Sequence, residues 1–325
     1  MLFGRIAQLV EQRTENPCVG SSILPPTTKF KSKLFVWTFL LLIGNNIMRW
    51  QDREGSSNIE DRRGSSGGRV TRSTGILGMI ALLVGAYYGV DLSGFVGNPL
   101  QQATVQNAPV QSSAQEQELA RFSSVVLKET ENVWSNYFAQ RGARYQVPTM
   151  VLYRGATPTG CGTGNAEAGP FYCPADNKLY IDLSFYNTMK RELGAEGDAA
   201  FAYVLAHEVG HHVQTVLGTS QKVHQMQSRT NRTQANALSV RLELQADCYA
   251  GVWGHYVEKN GMFEAGDIEE AYNAAEAVGD DRLQQRAQGY TVPHSYTHGT
   301  SAQRKQWFQV GLRTGDINQC NTFQN

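Results

Sequence analysis

His207-Glu208-Val209-Gly210-His211 decides how the rest of this sequence is understood. The stretch sits in a segment opened by Gly197-Asp198, whose apolar residues Phe201, Val204, Leu205 and Val209 recur at helical spacing. Four residues make just over one helical turn, so His207 and His211 project from one face and can hold one zinc ion. Glu208 falls at the edge of that face. There it is placed to deprotonate a water at the metal, not to bind the metal. Gly210 leaves a slim wall between the histidines and predicts close approach by another element. The bland alternative is a pair of hydrogen-bonded helix histidines. It is disfavoured because the remaining parts of a site occur downstream.

A catalytic zinc needs a third protein ligand and an open position. Leu242-Glu243-Leu244-Gln245-Ala246-Asp247-Cys248 again sets two carboxylates four apart, among apolar neighbours. Carboxylates on a core helix are costly unless paired or bound to metal. Glu243 is therefore assigned as the third ligand. Asp247 is assigned as acceptor of the free ring N–H of a liganding histidine. Two solvated surface carboxylates are the alternative. His212 and His224 are taken as surface or supporting residues.

Outward from this core the chain changes character. Hydrophobic residues make up 41% and charged residues 18%, with 29 basic and 29 acidic side chains. That balance offers no basic surface for nucleic acid. Residues 1–47 resemble a translated transfer-RNA gene, and Met48-Arg49-Trp50-Gln51 is the more natural start; a targeting peptide is the alternative. Residues 48–74 are polar and rich in Gly, Ser and Arg, and are expected to be disordered. Residues 75–92 are almost wholly apolar and are expected to form one transmembrane helix. The preceding arginines put the N-terminus in the cytoplasm and the chain after about Leu92 outside. Residues 93–115 read as a linker, and 116–325 as the catalytic domain.

Within that domain, Leu119 to Phe138 predict an amphipathic helix, and Thr149–Tyr153, Phe171–Cys173 and Leu179–Leu183 predict strands. The Gly-rich stretch 155–169 is expected to be a loop, and the segment between Cys161 and Cys173 reads as a hairpin or loop. A small sheet followed by packed helices is an α+β pattern. Cys161 with Cys173, and Cys248 with Cys320, form two disulfides if the compartment is oxidising; four reduced thiols are the alternative.

The His-Glu-x-x-His helix followed by Glu-x-x-x-Asp resembles the gluzincin peptidases, and Ste24/HtpX-type membrane peptidases in pattern. In those enzymes a later His-Pro segment precedes an arginine. Thr297-His298-Gly299-Thr300-Ser301-Ala302-Gln303-Arg304 is similar, with Gly299 where proline would stand. The resemblance implies that His298 stabilises the oxyanion. From Met48 onward the chain resembles the YpfJ-like neutral zinc metallopeptidases. The matching elements are Met48-Arg49-Trp50, the apolar segment, Phe171-Tyr172-Cys173-Pro174, His207–His212, Glu243–Asp247 and Cys320-x-Thr-Phe. The resemblance implies a single-pass inner-membrane protein of Gram-negative type, with a zincin-like domain on the periplasmic side.

The expected activity is zinc-dependent hydrolysis of peptide bonds in a peptide or protein substrate. A substrate strand is expected to pair with Leu179–Leu183 as the edge above the active-site helix. The rivals are a membrane-tethered scaffold with a non-catalytic zinc site and a zinc amidase acting on cell wall.

Overall fold

A computed structural model describes residues 48–64 and 112–324, which fall in one compact unit spanning Asn46–Asn325. The architecture is mixed α and β, mostly helical, with a four-stranded sheet and a two-stranded hairpin. Strand β1 (Ile59–Asp61) precedes helix α1 (Ala114–Ala139), capped by the Ser113 side chain. Strand β2 (Thr149–Tyr153) leads into a hairpin, β3 (Ala156–Thr159) and β4 (Gly162–Asn165). Strands β5 (Phe171–Cys173) and β6 (Lys178–Asp182) complete the sheets. There follow α2 (Phe185–Thr188), α3 (Asp198–Val216), α4 (Thr219–Gln227) and α5 (Arg232–Lys259). The last helices are α6 (Asp267–Ala277), α7 (Asp280–Gln288) and α8 (Ser301–Thr314).

The sheet order is β1-β2-β6-β5, with β1, β2 and β6 parallel and β5 antiparallel to β6. Strand β2 is apolar at consecutive positions because both its faces are covered. Met150 and Leu152, with Leu179 and Ile181 of β6, point into the main core against the helices. Val151, Tyr153 and Tyr180 point the other way, into a small second cluster with Cys173. The predicted loop 155–169 is instead largely the β3–β4 hairpin, tied to β5 by the Cys161–Cys173 disulfide. Its glycines hid the strand pattern, because a strand without side chains leaves no alternation to see. The second disulfide, Cys248–Cys320, closes 72 residues, a loop worth about 4 kcal/mol by the chain-entropy model.

Residues 48–64 overturn one expectation. They are not disordered: Met48 is fully buried, Trp50 stacks edge-on against Phe122, and β1 joins the sheet beside β2. The arginines of this segment are engaged by carboxylates. Arg53 pairs with Glu129 at 2.9 Å, and the buried Arg63 pairs with Asp61 at 2.6 Å. Composition misleads here because the segment builds no core of its own and lends two large side chains to one built elsewhere. Pairing of β1 with β2 also holds residues 48–64 and 112–324 on one side of any bilayer, so a single crossing between them would break the sheet. The apolar segment 75–92 itself lies outside the described residues, as do residues 1–47 and most of the expected linker. Among the described residues no helix is long and apolar enough to cross a membrane.

Candidate metal centre

Helix α3 is buried along most of its length, with Phe201, Leu205, Val209 and Val213 in the core. It packs on α5 where Gly210 meets Ala246; a Cβ on Gly210 would lie 3.0 Å from the Ala246 carbonyl oxygen. That close approach sets Glu243 and Asp247 of α5 opposite His207 and His211. A second close approach joins α5 to α8, where a Cβ on Gly311 would fall 1.9 Å from the Cys248 carbonyl. It carries Arg304 onto Asp247.

Three donor side chains converge. His207 Nε2 and His211 Nε2 are 3.1 Å apart. Glu243 Oε2 is 3.2 Å from His207 Nε2, and Glu243 Oε1 is 3.4 Å from His211 Nε2. Tetrahedral zinc with bonds near 2.0–2.2 Å separates its ligand atoms by roughly 3.3–3.5 Å, so the donor set fits the ion. The outer partners fix which nitrogen faces the centre. His207 Nδ1–H donates to Asp247 Oδ1 at 2.8 Å, and His211 Nδ1–H donates to Gln214 Oε1 at 2.9 Å. Both Nε2 lone pairs therefore point inward at each other beside a carboxylate. Such an arrangement needs a cation between them, a metal or a proton.

The electrostatics follow from the same contacts. Burial disfavours a charged His207, but the Asp247 carboxylate outweighs it and raises the imidazole to about 9. Burial likewise opposes ionised Glu243, yet His211 and His207 hold it well below the usual carboxylate range. Asp247 is fully buried and also held low, burial being overcome by Arg304 and His207. Arg304 grips it with two bonds of 2.9 Å, Nε to Oδ2 and Nη2 to Oδ1, and Tyr203 Oη donates to Oδ1. Glu208 differs from both acids. Its burial raises the carboxyl, only partly offset by His211, His207 and the Tyr172 backbone N–H of β5. It is the one acid of the site biased toward carrying a proton.

The remaining predicted residues are placed as follows. His298 Nδ1 lies 3.1 Å from Asp280 Oδ1, and Asp280 Oδ2 accepts the backbone N–H groups of Thr297, His298 and Gly299. Burial lowers His298 but Asp280 outweighs it and raises the ring, whose charge reaches Glu243. His212 is buried, not on the surface: Nε2–H donates to the Gln146 carbonyl at 2.6 Å, and the ring packs against Tyr145 and Tyr172. His224 is exposed on α4. The edge strand beside α3 is β5, not Leu179–Leu183, because β6 is paired on both sides. Gln214, Tyr203 and Asp280 were not anticipated. Gln214 sits three residues after His211 and Tyr203 four before His207, helical spacings that offered a signal; Asp280 offered none.

The family model described as "Putative neutral zinc metallopeptidase" matches residues 48–323. A protein of Escherichia coli (strain K12), "Uncharacterized protein YpfJ", is 54% identical over 286 residues, covering 85% of this chain and 99% of that protein. A protein of Mycobacterium bovis, "Uncharacterized protein Mb2605", is 45% identical over 190 residues, covering 55% of this chain and 63% of that protein. No solved structure matches. With the family's match spanning the described residues and a zinc-fitting donor set at its centre, the chain belongs to the Putative neutral zinc metallopeptidase family.

Proposed function

We propose that this protein hydrolyses peptide bonds with one zinc ion held by His207, His211 and Glu243. The observation that carries the reading is the convergence of two Nε2 atoms and one carboxylate within 3.1–3.4 Å, beside an acid that is not a ligand. When bound, zinc acts as a Lewis acid that polarises a carbonyl and acidifies water. Glu208 takes the proton of the attacking water on its carboxylate and delivers it to the leaving nitrogen. Its bias toward the protonated form suits that second transfer. Asp247, clamped by Arg304, keeps His207 in the tautomer that offers Nε2 inward. His298, held by Asp280, is the candidate donor to the developing oxyanion.

The exposed edge of β5 beside α3 supports a zincin-like binding mode, in which an extended peptide adds to the sheet. A structural zinc site has no need of a base, which argues against a scaffold. The two disulfides support a domain working outside the cytoplasm. Residues 48–64, paired into the sheet of that domain, would lie on the same side.

The test is substrate trapping with Glu208→Gln in the native envelope. Retained zinc together with captured peptide or protein is expected. Capture of cell-wall fragments instead would make the enzyme an amidase, and hydrolysis undiminished in this variant would remove Glu208 from the mechanism.

A further inference from the structure

At the other end of α3 lies a second cluster that the proposed chemistry does not use. Asp198, the first residue of α3, meets Asp267 and Glu270 of the first turn of α6, with carboxylate oxygens all within 4.8 Å. The pocket is built for them. Gly197, at φ 111°, leaves the space that Glu270 fills; a Cβ there would fall 1.9 Å from Glu270 Oε2. Asp267 is fully buried, and its Oδ1 has no hydrogen-bond partner. Oδ2 accepts only the Glu264 N–H. Among the described residues no Lys or Arg balances the three acids; burial raises all of them, helped by the neighbouring acids at Asp198 and Glu270 and by Glu264 at Asp267.

Two further backbone nitrogens reach this pocket. Ala199 N–H donates to Asp198 Oδ1 at 3.0 Å and to Glu270 Oε2 at 3.3 Å. The second, that of Met48, comes from far away in the chain and donates to Asp198 Oδ2 at 2.9 Å. It is held there from several sides. The Met48 side chain is fully buried, Arg49 N–H bonds the Met262 carbonyl at 2.8 Å, and Arg53 Nη2 bonds the Asn260 carbonyl at 2.8 Å. A peptide nitrogen offers a single N–H and no charge, so it answers one acid of three. A free α-amino group at the same place is an ammonium below about pH 7.7–8.0. It offers three N–H bonds and one positive charge to three carboxylates.

We propose that the Asp198–Asp267–Glu270 pocket is the seat of this protein's own free α-amino group, that of Met48. The folded enzyme then begins at Met48, and its first atom is an ion pair at the N-terminal end of the zinc helix. The family match begins at the same residue. The proposal does not rest on peptidase activity.

The protein is expressed from the 325-codon frame, purified folded, and its first residue determined by intact mass and N-terminal labelling. Met48 is expected. A folded, zinc-loaded protein still carrying residues before Met48 would overturn the proposal. Repeating this with Met48→Leu separates the two origins of the free amine, because initiation at codon 48 is then lost whereas hydrolysis of the Ile47–Met48 bond is not. The Met48 amine should react with an acylating reagent at pH 7 at least about tenfold more slowly in the native protein than after unfolding. Equal rates would sink the idea. Finally, Gly-Ser inserted before Met48 should lower Tm, and Glu270→Gln should lower Tm only without that insertion. If calcium, magnesium or zinc instead raises the Tm of the Met48 protein, and Asp267→Asn abolishes the rise, the pocket is a cation site and the proposal fails.

Discussion

Helix α3 carries two clusters of metal-type ligands, and their difference shows what makes such a cluster a metal centre. At His207, His211 and Glu243 two donors are imidazoles, which bind metal in the neutral form, and each is oriented by a partner behind it, Asp247 or Gln214. Their lone pairs meet 3.1 Å apart, which only a small cation resolves. At Asp198, Asp267 and Glu270 all donors are acids, their hydrogen bonds among the described residues come from the backbone N–H groups of Ala199, Glu264 and Met48, and no side chain there orients them. Proximity of ligand atoms is common to both. Orientation by outer partners belongs to one.

The sharpest way to break the comparison is to remove a carboxylate's charge at each end. Glu208→Gln should lower kcat/KM by about 10²–10⁴-fold with zinc retained, whereas Glu270→Gln should leave peptide hydrolysis close to the parent. Equal losses would mean that the acid pocket belongs to the chemistry. Next in size is the buried Arg304–Asp247 pair. Arg304→Met strips Asp247 of its guanidinium and should cost about 3–5 kcal/mol in denaturant unfolding of the metal-free protein. A loss below about 1 kcal/mol would show that the pair is dispensable.

Asp247→Asn should weaken zinc binding by about 10–100-fold, measured by competition with a chromophoric chelator. Asp198→Asn should not change it. The smallest effects are in pH. His207 is raised from 6.5 to about 9, so in metal-free protein its charge adds stability fully present below 6.5 and lost as pH rises through 9. Zinc requires the neutral ring, so zinc affinity should climb over that same window. When Met48 is held in a peptide bond, Asp198 is raised from 3.8 to about 6 and Glu270 from 4.5 to about 7. Their neutral forms then contribute stability that is present below about 4 and lost as pH rises through 6 to 7. A Tm series from pH 4 to 8 should show that fall in the Gly-Ser-extended protein and a flatter profile when Met48 is free.

Much of the metal centre was legible in the sequence, because helical spacing is local. Residues four apart share a face whatever surrounds them, so His207 with His211, and Glu243 with Asp247, were paired without coordinates. Strands β2 and β5 were legible for the same reason, from short apolar runs bounded by turn residues. The hairpin at 156–165 was not, since Gly162 and Gly164 carry no side chain to alternate. Nor was the place of residues 48–64, whose polar composition describes the segment and not the surface it meets.

By itself the sequence determined the donor types, their helical phase and the cysteines available for pairing. Only the tertiary structure decided that Arg304 neutralises Asp247, that β5 and not β6 is the open edge, and that Met48 meets the start of α3. Each of these joins residues far apart in the chain, and such contacts depend on which surfaces the packed core brings together. The helix holding His207 was written locally; what it is anchored to at Asp198 was settled by the fold.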